Sequence, residues 1–396
     1  MKEEGEKKEI VVHYDELALK GENRILFEKT MMRRLEEQMR DEGFSDIQVK
    51  RQWGRIFIRG EWNEEDEERI RMRLLLTPGI ANFGFVLRLP REKEALLKKG
   101  IPFILKRVGN SSFRITSKRV DKTFPLNSRE VEILLGTELF AQNEKLKVNL
   151  REYEKEVIVK ILQTEILIFV KERGIGGLPV ASSGNAVSLI SAGFDSPVAS
   201  FLLMKRGVKV HPIHFHASEM VGEEAVRAVE DLVAQLSRIQ GKTKLALVPV
   251  LPIQKYIAEH APNKLRIILI RRVFMRLASR YAELSSSLAL ITGESVGQVA
   301  SQTLENIRTI GEASPLPILR PLSGMNKNEI IAIARKIGTA EISARPCEDT
   351  CSLFLPNYPE TKSKLQYVLQ VEKNLDKLEK MEEEALQSLD IRIFPL

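Results

Sequence analysis

The sequence predicts an α/β protein in which a doubly wound parallel-sheet domain follows two small α+β domains. Three observations carry this. After residue 184, buried strand patterns and amphipathic helix patterns alternate for most of the remaining chain. Before residue 173, two shorter runs mix strands and helices in a split order. Between them lies Gly174-Ile175-Gly176-Gly177-Leu178-Pro179, a glycine-rich run without the strand-to-helix context of a dinucleotide loop, read here as a hinge or interdomain turn. The 396 residues exceed one typical core, at roughly 100–200 residues per domain. The expected domains are 1–76, 77–173 and 174–396.

In the first domain, residues 10–12 read as a strand, 24–42 as a helix, a hairpin turns around Gly54, and 64–76 form a charged helix. Thr77-Pro78-Gly79 breaks that helix and 82–89 supply another strand, an order that is ferredoxin-like. The second domain takes a helix over 92–106, a strand over 113–116, a helix from Asn127 and Ser128, and two strands ending at Val170. Its loop 117–125 gathers Lys118, Arg119, Lys122 and Phe124, suited to phosphate contacts and base stacking. A solvated loop is the alternative.

In the third domain, 186–190, 208–216, 245–250 and 288–292 read as buried strands, separated by helices over 197–206, 222–239 and 263–284. Ligands of such a sheet bind at the carboxyl ends of its strands. The closing helix, 363–386, is polar and acidic and reads as a packed cap.

Composition narrows the function classes. No apolar run approaches the roughly 20 residues of a membrane span, and the charged start Met1-Lys2-Glu3-Glu4 lacks a secretory signal's apolar core. A cytoplasmic address is expected. A net charge of +7 is compatible with a polyanionic partner. Two cysteines, Cys347 and Cys351, exclude a disulfide framework and a four-cysteine zinc site within one chain. His211, His214 and His216 raise a metal site, but 214 and 216 at strand spacing read better as core or phosphate-edge histidines.

The segment carrying most chemistry is Leu189-Ile190-Ser191-Ala192-Gly193-Phe194-Asp195-Ser196-Pro197, an apolar strand running through small residues into a helix. Small residues let backbone N–H groups approach phosphate oxygens at a helix amino end; Ser196 can cap and Pro197 suits the first helical position. No Walker lysine is present. The segment resembles the Ser-Gly-Gly-x-Asp-Ser loop of enzymes that cleave ATP between its α and β phosphates, with Ala192 in place of the first glycine. If that position needs positive φ, alanine costs about a kilocalorie per mole or more.

Further runs narrow the resemblance: residues 16–24, 118–128, 176–180, His214-Phe215-His216, 292–303 and 320–327 resemble the tRNA 4-thiouridine synthetases across nearly the whole chain. The resemblance implies a ferredoxin-like domain, a THUMP RNA-binding domain and a PP-loop ATP pyrophosphatase domain acting on the uridine at position eight of tRNA. It implies nucleotide contacts at Leu189, Ile190, Ser191, Gly193, Ser196, His214, Phe215, Arg271, Gly293 and Gln302, with ATP and Mg2+ as cofactors. Asp195 is expected to orient magnesium or the activated base, and Lys327 to neutralise the leaving pyrophosphate or the reacting carbonyl; a helix cap and an exposed lysine are their bland alternatives. Lys118, Arg119 and Lys122 are expected to contact RNA.

Around the cysteines, the family pattern is close to Pro-Tyr-Glu-Asp-Cys-Cys; here Cys347 replaces the tyrosine, Thr350 the first cysteine, and Cys351 matches the second. Cys351 or Cys347 is therefore the expected sulfur acceptor, with Arg345 a candidate cation beside it. Some members end in a rhodanese domain; this chain stops at Leu396, so a separate cysteine desulfurase is expected to deliver persulfide, with a weaker link to thiamine thiazole synthesis. A homodimer is possible. The competing reading is a noncatalytic tRNA-binding protein with a degraded nucleotide site.

Overall fold

The computed structural model describes residues 7–16, 24–52, 54–346, 354 and 358–394. It divides into two compact units, Met1–Leu178 and Pro179–Leu396.

The first unit runs β1 (Lys8–Tyr14), α1 (Arg24–Asp41), β2 (Gln48–Gln52), β3 (Arg55–Gly60), α2 (Glu64–Leu75) and β4 (Ile80–Pro90). It continues through a short α3 (Lys93–Ala95) and a π turn into α4 (Ile101–Val108), then β5 (Ser112–Arg119), α5 (Ser128–Gln142), β6 (Lys147–Val148), β7 (Lys155–Ile161) and β8 (Glu165–Arg173). Capping boxes set two of the helix starts, Asn63 with Asp66 before α2 and Asn127 with Glu130 before α5. All eight strands form one sheet in the order β2-β3-β1-β4-β8-β7-β5-β6. β4 pairs antiparallel with β1 on one side and β8 on the other, so the two small domains share a continuous sheet.

Period-2 alternation sorts these strands into two faces. Ile10, Val12, Ile56 and Ile58 pack with Met31, Leu35 and Ile70 of α1 and α2. Phe113, Val157, Val159 and Ile168 pack with Ile104, Val131 and Leu135 of α4 and α5. The helices therefore cover one face; the intervening positions form a small cluster of Val11, Phe57 and Phe169 on the other. The glycine-rich run that closes this unit is a seam against β4: Gly176 N–H donates to Ile80 O at 2.8 Å, and a Cβ on Gly174 would lie 2.2 Å from the same oxygen.

The second unit runs β9 (Asn185–Leu189), α6 (Asp195–Lys205), β10 (Lys209–His216), α7 (Ser218–Val221), α8 (Glu224–Gln240), β11 (Thr243–Pro249), α9 (Leu251–His260), α10 (Arg266–Leu284) and β12 (Leu290–Ile291). Then come α11 (Leu304–Gly311), β13 (Ile318–Leu319), α12 (Lys327–Lys336), α13 (Ala340–Ser343), α14 (Leu365–Lys373), α15 (Leu378–Gln387) and β14 (Asp390–Phe394). The sheet order is β13-β12-β9-β10-β11-β14, parallel except for the edge strand β14. This is the doubly wound sheet expected. Its core sets Val187, Ile213, Val248 and Leu290 against Ile268, Val273 and Leu277 of α10.

The single closing helix expected over 363–386 is instead two helices and a strand. The chain breaks at Asn374–Lys377, where Asp376 accepts a hydrogen bond from the Tyr256 hydroxyl at 2.8 Å. Its acidity serves packing. Glu372 pairs with Arg272 at 2.8 Å and Arg276 at 2.6 Å, and Glu382 pairs with Arg276 at 2.6 Å, clamping both helices to α10.

Candidate functional site

In the second unit, β9 leads to β10 and β11 on one side, and the chain then returns to place β12 and β13 on the other. Strand order thus reverses beside β9, the switch point where open α/β sheets bind ligands beyond the carboxyl ends of their strands. A cavity of about 460 Å³ lies there. Leu189, Ile190, Ser191, Gly193, Asp195, Ser196, His214, Phe215, Arg271, Gly293 and Gln302 all line it.

The loop after β9 is tied to itself. The Ser196 hydroxyl accepts from Ser191 N–H at 2.8 Å and lies 3.2 Å from both Ser191 O and Ser191 Oγ. This corrects the expectation that Ser196 caps the helix and Pro197 opens it. α6 begins at Asp195 behind Phe194, which makes no side-chain cap, so the N-cap side chain leaves the first-turn N–H groups open to an anion. Neither Ala192 nor Gly193 has positive φ, so alanine at the first position strains nothing. A Cβ on Gly193 would meet only Ser191 Oγ at 3.7 Å; the space beside it belongs to the cavity. Gly293 differs. A Cβ there would lie 2.8 Å from Ser196 N, so glycine lets the segment after β12 press against the start of α6.

The walls have distinct chemistries. Phe215 at the end of β10 stacks on Phe274 of α10 at 4.3 Å between centroids and 12° between planes, an apolar wall. His214 is buried, its Nδ1 2.9 Å from Ile190 O, which seats β10 against the loop. Across the cavity, Asp195 is held twice: Lys327 Nζ donates to Oδ1 at 2.7 Å and Gln298 Nε2 to Oδ2 at 2.9 Å. Lys327 is the first residue of α12, fixed by the Asn326–Glu329 capping box, and its ammonium also lies 5.4 Å from the Phe194 ring centroid.

Beneath them, the buried Glu294 bridges two arginines. Oε2 accepts from Arg320 Nε at 2.7 Å and from the Thr292 hydroxyl at 3.0 Å, while Oε1 lies 3.5 Å from Arg271 Nη1. Gln302 braces the same segment, its Oε1 accepting from Ser295 N–H at 3.3 Å.

Glu294, Gln298, Arg320 and Phe274 were not singled out from sequence. Phe274 was within reach, because it stands three residues after Arg271 on one helix face. Arg320 and Glu294 lie inside the 292–303 and 320–327 runs, but pairing across 26 residues has no local signal. The histidines form no shared site: His216 Nδ1 lies 3.0 Å from Ser218 Oγ, and among the described residues no group of three or more His, Cys, Asp or Glu gathers around a point. Cys347 and Cys351 lie outside the described residues. Arg345, the proposed thiolate partner, lines the cavity and donates to Asp231 Oδ2.

In the first unit, Lys118 and Lys122 are exposed, but Arg119 turns inward, donating to Phe124 O at 3.0 Å and Leu126 O at 3.2 Å. Phe124 is buried under Arg91, whose guanidinium lies 5.6 Å from its ring centroid. That overturns the stacking role expected of Phe124: its ring anchors the loop.

The chain is 38% identical over 381 residues to a probable tRNA sulfurtransferase of Caldanaerobacter subterraneus subsp. tengcongensis, covering 96% of this chain and 99% of the relative. It belongs to the tRNA sulfurtransferase family. Three family models match parts of this sulfurtransferase: the ThiI ferredoxin-like domain over 9–84, the THUMP domain over 99–171 and thiamine biosynthesis protein (ThiI) over 181–377. A probable tRNA sulfurtransferase of Thermus thermophilus is also 38% identical, covering 92% of this chain and 89% of its own. Among solved structures, a 4-thiouridine synthetase–RNA complex with bound ATP superposes with a TM-score of 0.86 at 33% identity, covering 98% of this chain and all of that one. The ferredoxin-like, THUMP and PP-loop domains that the resemblance implied are thereby found in this chain. No helix among the described residues is long and apolar enough to cross a membrane.

Proposed function

We propose that the cavity at the carboxyl ends of β9, β10 and β12 binds ATP and activates the uridine at position eight of tRNA. The uracil O4 attacks the α-phosphate, the bond to the β-phosphate breaks and pyrophosphate leaves. Sulfur then attacks C4 and AMP departs: sulfide gives 4-thiouridine directly, whereas a cysteine persulfide leaves a C4–S–S–cysteine bond that a second thiol cleaves, forming a disulfide as 4-thiouridine is released. One observation supports this above the others: all ten nucleotide contacts implied by family resemblance, scattered from Leu189 to Gln302, line one cavity at the switch point.

The residues divide the work by chemistry. Phe215 and Phe274 offer a flat apolar wall to the purine, and the first-turn N–H groups of α6 face its phosphates. Arg271 and Lys327 supply positive charge where pyrophosphate develops it in the opposite sense. Lys327 is held on Asp195 at 2.7 Å, so it reaches a phosphate oxygen by exchanging one anion for another. Asp195 suits magnesium, which takes one or two carboxylates together with phosphate oxygens; bound magnesium would screen the phosphates from that carboxylate.

Cys351 or Cys347 carries the persulfide that a cysteine desulfurase delivers, in a cytoplasmic enzyme that acts alone or as a homodimer. Lys118 and Lys122 contact the tRNA, and Arg119 holds their loop in shape. The test is to incubate the protein with ATP, unmodified tRNA and sulfide, then analyse nucleosides by mass spectrometry. The expected product is 4-thiouridine at position eight with AMP in equal amount. Formation of AMP without tRNA, or no AMP at all, contradicts the proposal. Comparing Cys347→Ser with Cys351→Ser, using the desulfurase as donor, identifies the acceptor.

A further inference from the structure

On the helix-free face of the first unit's sheet, strand alternation collects positive charge that the nucleotide chemistry does not use. Lys118 of β5 and Lys160 of β7 are direct cross-strand partners. Like charges placed so are destabilising unless something stands between them. Lys160 is 7% exposed. Arg55 of β3, Lys171 of β8 and His13 of β1 line the same 230 Å³ cavity.

Counter-charge is short. Glu156, the carboxylate lining this cavity, is already bonded by Arg114 at 2.6 Å, Lys171 at 3.1 Å and the Thr116 hydroxyl at 2.9 Å. β4 contributes the neutral Asn82. The Lys160 ammonium lies 5.4 Å from the Phe169 ring centroid, and the buried His13 Nδ1 has no hydrogen-bond partner among the described residues. Burying an ammonium beside other cations is costly without an anion.

We propose that Lys160, with Arg55, Lys118 and His13, forms a binding site for a backbone phosphate of RNA on this sheet face. The inference rests on the reading of the protein as a tRNA-modifying enzyme, and extends the electrostatic anchor from Lys118 and Lys122 onto the sheet face beside them. A phosphate supplies the missing charge and an acceptor for Lys160, and can accept from His13 when its Nδ1 carries the proton.

The site has a pH signature. Burial first, then Arg55 and Lys118, push the Lys160 ammonium down to about 7. The His13 imidazolium is pushed to about 3, by burial and then by Lys160, Arg55, Lys171 and Lys118, so that ring is neutral throughout the range tested. A bound phosphate raises the Lys160 value. Below about pH 7 the lysine is charged with or without RNA and affinity is flat; above it, binding takes up a proton and affinity falls as pH rises, until the bound-state value is passed.

The experiment measures tRNA affinity of the full chain from about pH 6 to about pH 9 at several salt concentrations. For the wild type, affinity should fall above neutrality by at most about tenfold per pH unit. Lys160→Met should lose that pH dependence, lower the salt slope by about one, and melt no lower than wild type, since it removes a buried unpaired charge. Lys160→Arg should also lose the pH dependence but keep the salt slope. A wild-type profile flat over this range, or a Lys160→Met variant with unchanged slope and profile, overturns the site. If such a protein still thiolates tRNA, the function stands and the phosphate site alone falls; absence of any tRNA binding removes both. Proton-linked binding of inorganic phosphate that displaces RNA at micromolar concentration would instead assign a free-ion site and overturn the RNA assignment.

Discussion

The two units handle positive charge in opposite ways. Around the nucleotide cavity of the second unit, cations stand on carboxylates of the chain itself: Lys327 on Asp195, Arg271 and Arg320 on Glu294, and Arg345 on Asp231. On the sheet face of the first unit, Lys160 and Lys118 face each other, and the cavity's carboxylate, Glu156, is taken up by Arg114 and Lys171. A site whose charges are paired in advance holds its geometry and exchanges partners when a small anion enters. A site whose charges are unpaired is incomplete until a polyanion arrives, and its affinity then depends strongly on salt.

The sharpest way to break this contrast is to remove one partner of the Asp195–Lys327 pair. Asp195→Ala or Lys327→Ala should lower thiolation by on the order of a thousandfold while tRNA affinity stays near wild type. Retained activity in single-turnover assays would deny both residues their roles. Next comes Gly293→Ala, whose added Cβ presses on Ser196 N. Overpacking of this kind costs about 1–3 kcal/mol, so a lower melting temperature and a higher KM for ATP are expected; an unchanged KM would mean that the contact with α6 does not shape the phosphate loop.

Glu294→Gln removes the charge shared by two arginines. Its expected effect is a rise of about tenfold in the KM for ATP, equivalent to about 1.4 kcal/mol, with tRNA affinity unmoved. A variant that loses tRNA affinity as well would blur the division between the units. Smallest of all, Ala192→Gly should change the KM for ATP by less than about twofold, because that residue has no positive φ to relieve.

The periodicity of apolar residues made the alternation of the second unit readable, since buried strands and amphipathic helices leave opposite signatures over ten or more residues. The strand read over 288–292 is β12, although only Leu290–Ile291 pair; the two-residue β13 left no such signature, and its neighbour β12 recruits it. The closing segment packs as the cap expected, its acids paired with Arg272 and Arg276 about a hundred residues earlier, but pairing at that distance leaves no local signal, and the break between α14 and α15 was not read. The phosphate loop was legible because its chemistry is local: strand, small residues, helix. Its partners were legible only through resemblance, for nothing near Asp195 in sequence announces a lysine 132 residues away. Arg119 and Phe124 show the converse: a loop whose composition suits RNA uses two of its members to hold its own backbone.

The central claim is that this chain joins AMP to a tRNA uridine in the cavity beside β9. It is tested most directly by following radiolabelled pyrophosphate into ATP with unmodified tRNA and no sulfur donor. The account predicts exchange that requires tRNA, disappears when the uridine at position eight is replaced, and is lost in Asp195→Ala. Exchange that proceeds equally without tRNA, or none under conditions where tRNA binds, would contradict it.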